Sequence, residues 1–177
     1  MLTLANRLTI LRILMTPAIT ILLLYKHMAA ATALFVLAGI TDGLDGFVAR
    51  SRGQRTALGM VLDPLADKLL LVSAVIVLTI LKELPRWFTI IIVSRDLILI
   101  GGSLILYMFL GKMALPPSWL GKFTTGFQIA TVLLAMLDNF APVLRSAVMP
   151  FAFLTTALTI ASGLDYVFRG TRLLNDQ

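Results

Sequence analysis

The chain has 177 residues, 59% of them hydrophobic and 14% charged, with a mean hydropathy of +0.96; a soluble domain is nearer a quarter charged and about half apolar, so the composition points to a membrane protein. Cysteine is absent, which excludes disulfides, thiolate metal sites and cysteine nucleophiles. The net charge of +6 fits basic loops beside anionic headgroups, with lipid rather than nucleic acid as the partner.

Six apolar segments follow in order, at about 8–25, 29–49, 60–81, 87–109, 120–137 and 146–168. Most reach the ~20 residues that a helix needs to cross a bilayer core. They are continuously apolar rather than alternating, which argues against a β-barrel. The expected fold is an all-α integral membrane bundle of six transmembrane helices, a single domain over 1–177. The first segment has the basic start, apolar run and small-residue "HMAAATA" stretch of a signal peptide. Five more spanning candidates follow it, so a retained helix is expected. Its opening, "TLANRLTILRILMTP", is amphipathic enough to begin as an interfacial helix.

The end of the second segment and the start of the third carry Asp42, Asp45, Asp63 and Asp67. Each Asp at a bilayer centre costs ~2.5–3.5 kcal/mol on insertion scales, so something must offset the cluster. Pairing with Arg50, Lys68 and Arg95 is one structural account; a functional cavity is the other. The spacings are i, i+3 and i, i+4, which put each pair on one helix face. Brought together across the short "SRGQRTA" joint, four carboxylates repel unless cations lie between them. Asp42, Asp45, Asp63 and Asp67 are therefore candidate ligands for Mg²⁺ or Mn²⁺, hard ions that take oxygen donors. Gly43, Gly46, Ala49 and Gly59 strip side chains from the same region, either for helix packing or for close approach of a phosphorylated ligand. Arg50 follows at the membrane surface, where a phosphate would lie.

Sidedness follows from Lys and Arg. With the N-terminus inside, the inner side holds Arg7, Arg12, Arg50, Arg52, Arg55, Lys112, Lys122, Arg169 and Arg172, and the outer side only Lys26, Lys82, Arg86 and Arg145. Both termini and the acidic cluster are expected on the cytoplasmic side. Among the other polar residues, His27 is read as a surface residue, Asp138 as a solvated loop acid, and Asp165 as a partner of Arg169 at i+4. Trp87 and Trp119 start their segments, as interfacial anchors do.

At the aspartates the sequence resembles the CDP-alcohol phosphotransferase family, whose signature is D-x2-D-G-x2-A-R, about eight residues, then G-x3-D-x3-D. Asp42, Asp45, Gly46, Ala49, Arg50, Gly59, Asp63 and Asp67 fill every fixed position. "ANRLTILRILMTP" is also similar to the family's N-terminal segment. The resemblance implies a catalytic domain that binds CDP-diacylglycerol from the cytoplasmic side, with its diphosphate on two divalent cations. Asp42, Asp45 and Asp63 then hold metal with Asp67 beside them. The resemblance also implies that Asp67 is the general base for an acceptor hydroxyl. Asp42, Gly46, Ala49, Arg50 and Gly59 line the CDP site. A homodimer is implied as well.

The acceptor is glycerol 3-phosphate in some members and phosphatidylglycerol in others. The first group typically shows R-E, another Arg about eight residues on, and G-K-x-K-T-x2-Q. Here "SRDLILIGGS" and "GKFTTGFQ" keep Arg95, Gly121, Lys122, Thr125 and Gln128, but Asp96, Ser103 and Thr124 stand at the other positions. Two cations expected for a dianionic acceptor are missing, and the pattern is closer to eukaryotic-type cardiolipin synthases. Arg95, Lys122, Thr125 and Gln128 are the expected acceptor residues. An ion-coupled transporter is the competing class; it predicts internal symmetry between two halves, which the sequence lacks. A noncatalytic scaffold would not require the full set of acids and small residues.

Overall fold

In lipid a segment must satisfy its backbone polar groups internally, which favours helices. A computed structural model describes residues 4–52, 57–110 and 118–175, with side chains described outside 1–8, 42–64, 107, 109–117 and 174–177. Each apolar segment is a helix: α1 (Leu4–Leu24), α2 (Met28–Arg52), α3 (Ala57–Ile80), α4 (Arg86–Leu110), α5 (Trp119–Leu137) and α6 (Arg145–Asn175), the last entered through a 3-10 turn at Pro142–Leu144. No strand occurs among the described residues. Within them, Arg86–Leu106, Trp119–Leu137 and Pro142–Leu173 are long and apolar enough to cross a membrane, and shorter apolar stretches cover Thr9–Leu24 and Met28–Thr41. α6 outruns its apolar segment by about two turns, because "RGTRLLN" loses apolarity without losing helix-forming residues.

The chain forms two compact units, Met1–Glu83 and Leu84–Gln177. In the first, α1 packs against both α2 and α3, around Ile19, Leu23, Ala31, Phe35, Val75 and Leu78. In the second, α6 packs against both α4 and α5, around Phe88, Ile92, Val132, Met136 and Ala152. The exposed faces carry Ile21, Leu37, Leu69, Ile90, Leu104 and Phe153, while Thr124, Gln128, Thr131, Thr155, Thr159 and Ser162 are buried. A bundle in water would place charge on the outside; aliphatic faces with polar seams are the arrangement suited to lipid.

α1 and α3 stop in the same way. Lys26 N–H donates to Leu23 O at 2.9 Å and His27 N–H to Leu22 O at 2.8 Å; Lys82 N–H donates to Thr79 O at 3.1 Å and Glu83 N–H to Leu78 O at 2.9 Å. Both are Schellman ends, which need a left-handed residue, and lysine fills it at φ 60° and 67°. At the other end of a helix, Ser118 caps α5 by accepting from Gly121 N–H at 3.0 Å.

Candidate active site

The acidic motif lies on helical backbone throughout. Asp42, Asp45, Gly46, Ala49 and Arg50 are on α2, and Gly59, Asp63 and Asp67 are on α3. Each aspartate pair is therefore about one turn apart along its own helix. The side chains at 42–64 lie outside the described ones, so Asp42, Asp45, Arg50 and Asp63 are placed by backbone alone. All four motif acids are carboxylates, a residue type that fits a hard divalent cation and suits zinc poorly.

Asp67 is the one aspartate of the motif with a described side chain. Its Oδ1 accepts from Arg12 Nη1 of α1 in an ion pair. The two partners differ sharply in exposure, 2% for the Arg12 side chain and 43% for that of Asp67. Thr16 Oγ on the next turn donates to the Arg12 carbonyl at 3.0 Å. The sequence had offered Arg50, Lys68 and Arg95 as partners for the acids. Arg95 belongs to the second unit and pairs with its neighbour Asp96.

Arg95 Nη1 donates to Asp96 Oδ1 at 2.9 Å and Nη2 to Ser162 Oγ of α6 at 2.9 Å, with both members of the ion pair buried. Gly121 makes room for this: a Cβ there would stand 3.4 Å from Arg95 Nη2 and 3.3 Å from Ser118 Oγ. Lys122 is exposed, with Nζ 5.0 Å from the centre of the Trp119 ring. Thr125 donates back to the Gly121 carbonyl at 3.1 Å. Gln128 is fully buried, its Nε2 donating to Thr159 Oγ at 3.3 Å. The expected acceptor residues thus share the α4–α5–α6 unit, but Gln128 lies inside a seam and Lys122 at an edge. Ser103 donates to the Leu99 carbonyl at 2.7 Å and meets Tyr166 Oη at 2.7 Å.

Two further outcomes concern acids outside the motif. Asp165 does pair with Arg169, at 2.8 Å. Asp138 is buried rather than solvated: it caps α5, and four residues later the chain has already turned into the 3-10 segment, too short a joint to carry it away. The Arg12–Asp67 pair joins positions 55 apart, which no local sequence pattern links.

Residues 2–158 match the family model described as CDP-alcohol phosphatidyltransferase. The chain is 39% identical over 175 residues to the "Probable phosphatidylglycerophosphate synthase" of Mycobacterium tuberculosis, covering 96% of this chain and 82% of that one. It is 34% identical to the "CDP-diacylglycerol--glycerol-3-phosphate 3-phosphatidyltransferase" of Bacillus subtilis, covering 94% of each. It is 35% identical to the "Probable cardiolipin synthase (CMP-forming)" of Drosophila melanogaster, covering 93% of this chain and 56% of that one.

These matches define a phosphatidyltransferase of the all-helical membrane class, and the chain belongs to the CDP-alcohol phosphatidyltransferase family. Its reaction class is transfer from a CDP-alcohol donor, in a family that generally uses divalent metal ions.

Proposed function

We propose that the protein transfers the phosphatidyl group of CDP-diacylglycerol to the free glycerol hydroxyl of phosphatidylglycerol, forming cardiolipin and CMP. The observation that carries the acceptor is the state of Arg95. Two of its three guanidinium nitrogens are already bonded, to Asp96 and Ser162, and position 103 offers a serine held by Tyr166 rather than a second cation. A dianionic acceptor needs charge-assisted contacts to its phosphate; a neutral glycerol end does not. The competing acceptor is glycerol 3-phosphate, favoured by the names of the mycobacterial and bacillar relatives and by the exposed ammonium of Lys122.

In this reading Asp42, Asp45 and Asp63, with Asp67 at the edge of the set, hold two Mg²⁺ or Mn²⁺ ions. Bound there, divalent cations offset negative charge on the diphosphate and on departing CMP. Gly46, Ala49 and Gly59 are the positions assigned to leave room for the nucleotide, and Arg50 is the cation assigned to the phosphates. Asp67 accepts the proton of the acceptor hydroxyl as its oxygen bonds to the lipid-side phosphorus. The bond from that phosphorus to the bridging oxygen breaks, and CMP leaves with the electron pair. The donor keeps acyl tails in lipid and its nucleotide in water. That supports a site at the bilayer boundary, and the Lys and Arg distribution supports the cytoplasmic side for it and both termini. The family likeness supports a homodimer.

The test is CMP release from CDP-diacylglycerol in detergent, with Mg²⁺ or Mn²⁺ and each acceptor at equal donor. Cardiolipin formed faster than phosphatidylglycerophosphate is the expected result, and chelation of the metal stops both. The reverse preference reassigns the acceptor; no metal-dependent CMP release with either one removes the enzyme reading in favour of a transporter or scaffold.

A further inference from the structure

We propose that Arg12 is the positioning residue for the base: from inside the first unit its guanidinium holds the Asp67 carboxylate where the acceptor hydroxyl meets it. The inference rests on the assignment of Asp67 as base made above.

The asymmetry of the pair is the main observation. Arg12 is among the largest fully buried side chains, whereas 43% of the Asp67 side chain is exposed. An arginine at a helix centre costs ~2.5–3.5 kcal/mol or more to place in a bilayer. A pair kept only for packing would bury both members, and two apolar side chains would fill that space without a charge to offset. Here one charge is withdrawn completely and the other presented. The contact also joins helices that pack on each other, α1 and α3, so it ties the carboxylate to a rigid neighbour rather than to its own turn. Nη1 of a planar guanidinium, donating to Oδ1, constrains the carboxylate in direction as well as distance, which a freely rotating ammonium does not. Direction matters because a base displaced by about 1 Å loses on the order of 100-fold in rate.

The experiment uses the full chain in detergent micelles with CDP-diacylglycerol, phosphatidylglycerol and Mg²⁺, after size-exclusion chromatography shows each variant folded. Arg12→Gln is expected to lower kcat about 100-fold while KM for the donor changes by less than about twofold. Arg12→Lys, which keeps charge but not the planar guanidinium, is expected to restore about tenfold of that loss. Added to Asp67→Asn, Arg12→Gln is expected to cause no further loss, because both act through one group.

A kcat for Arg12→Gln within about twofold of the unaltered protein, or a multiplicative loss in the double variant, overturns the proposal. Near-normal turnover by Asp67→Asn alone is a separate failure: it removes the base assignment and the positioning role with it. Where Arg12→Gln does not fold, Arg12→Lys replaces it, with a loss of about tenfold expected and an unaltered kcat overturning the role.

Discussion

Gln128 on α5 and Thr159 on α6 meet at 3.3 Å with both side chains fully buried. They are the middle rung of a ladder. One end is the Thr131–Thr155 hydroxyl pair at 2.8 Å, and the other is Thr124, which donates to the Leu158 carbonyl at 3.2 Å. Both helices use positions i, i+4 and i+7: Thr124, Gln128 and Thr131 on α5, and Thr155, Thr159 and Ser162 on α6. In lipid there is little hydrophobic drive between helices, so side-chain hydrogen bonds and close packing hold them.

Thr159→Val removes the partner of the Gln128 amide and is expected to cost about 1 kcal/mol of stability. Pairing it with Gln128→Leu removes both polar groups and is expected to recover most of that loss. Thermal denaturation of the three variants in one detergent reads the cycle. An additive double variant would show that the two residues are not coupled.

Lys26 and Lys82 hold left-handed backbone that glycine adopts without strain. Lys26→Gly and Lys82→Gly are each expected to stabilise the first unit by about 1 kcal/mol. A lower melting temperature in either variant would contradict the strain argument.

Asp67→Asn keeps the size of the side chain but cannot take a proton. Turnover is expected to fall by ~10²–10⁴-fold while CDP-diacylglycerol still binds, as measured by calorimetry in the presence of Mg²⁺. Loss of donor binding instead would recast Asp67 as a ligand-holding residue.

Ser103→Arg places a guanidinium where the glycerol-phosphate pattern expects one. A charge-assisted hydrogen bond contributes about 1.5 kcal/mol or more. The ratio of kcat/KM for glycerol 3-phosphate over phosphatidylglycerol is therefore expected to rise about tenfold. An unchanged ratio would show that position 103 does not face the acceptor.

The sequence reveals the features that repeat or cluster. Six helices were visible because each is a continuous apolar run, and the aspartates because each pair sits within one turn of its helix. What escaped was tertiary. Arg12 carries no local signal beyond its charge, since its partner lies 55 positions away. The ladder was legible in principle, as two matching i, i+4, i+7 sets. Thr and Ser at isolated positions in an apolar helix read as neutral, however, until their partners on the facing helix are known. Asp138 departs from the expectation for a loop acid, which is usually solvated, because the joint is too short to let it leave the helix end.

Trp119 opens α5, 75% exposed, and Lys122 one turn on reaches over its ring; such a pair belongs at headgroup depth. From there α5 has 19 residues, about 28 Å at 1.5 Å per residue, against a hydrocarbon core of about 30 Å. It has no surplus length with which to tilt, whereas α6, with 31 residues, spans about 46 Å. In thick bilayers α5 is met by local thinning of the lipid or by flanking residues that reach to the interface, so the acyl length of the host membrane bears on this enzyme through the shortest helix among the described residues as well as through its substrates.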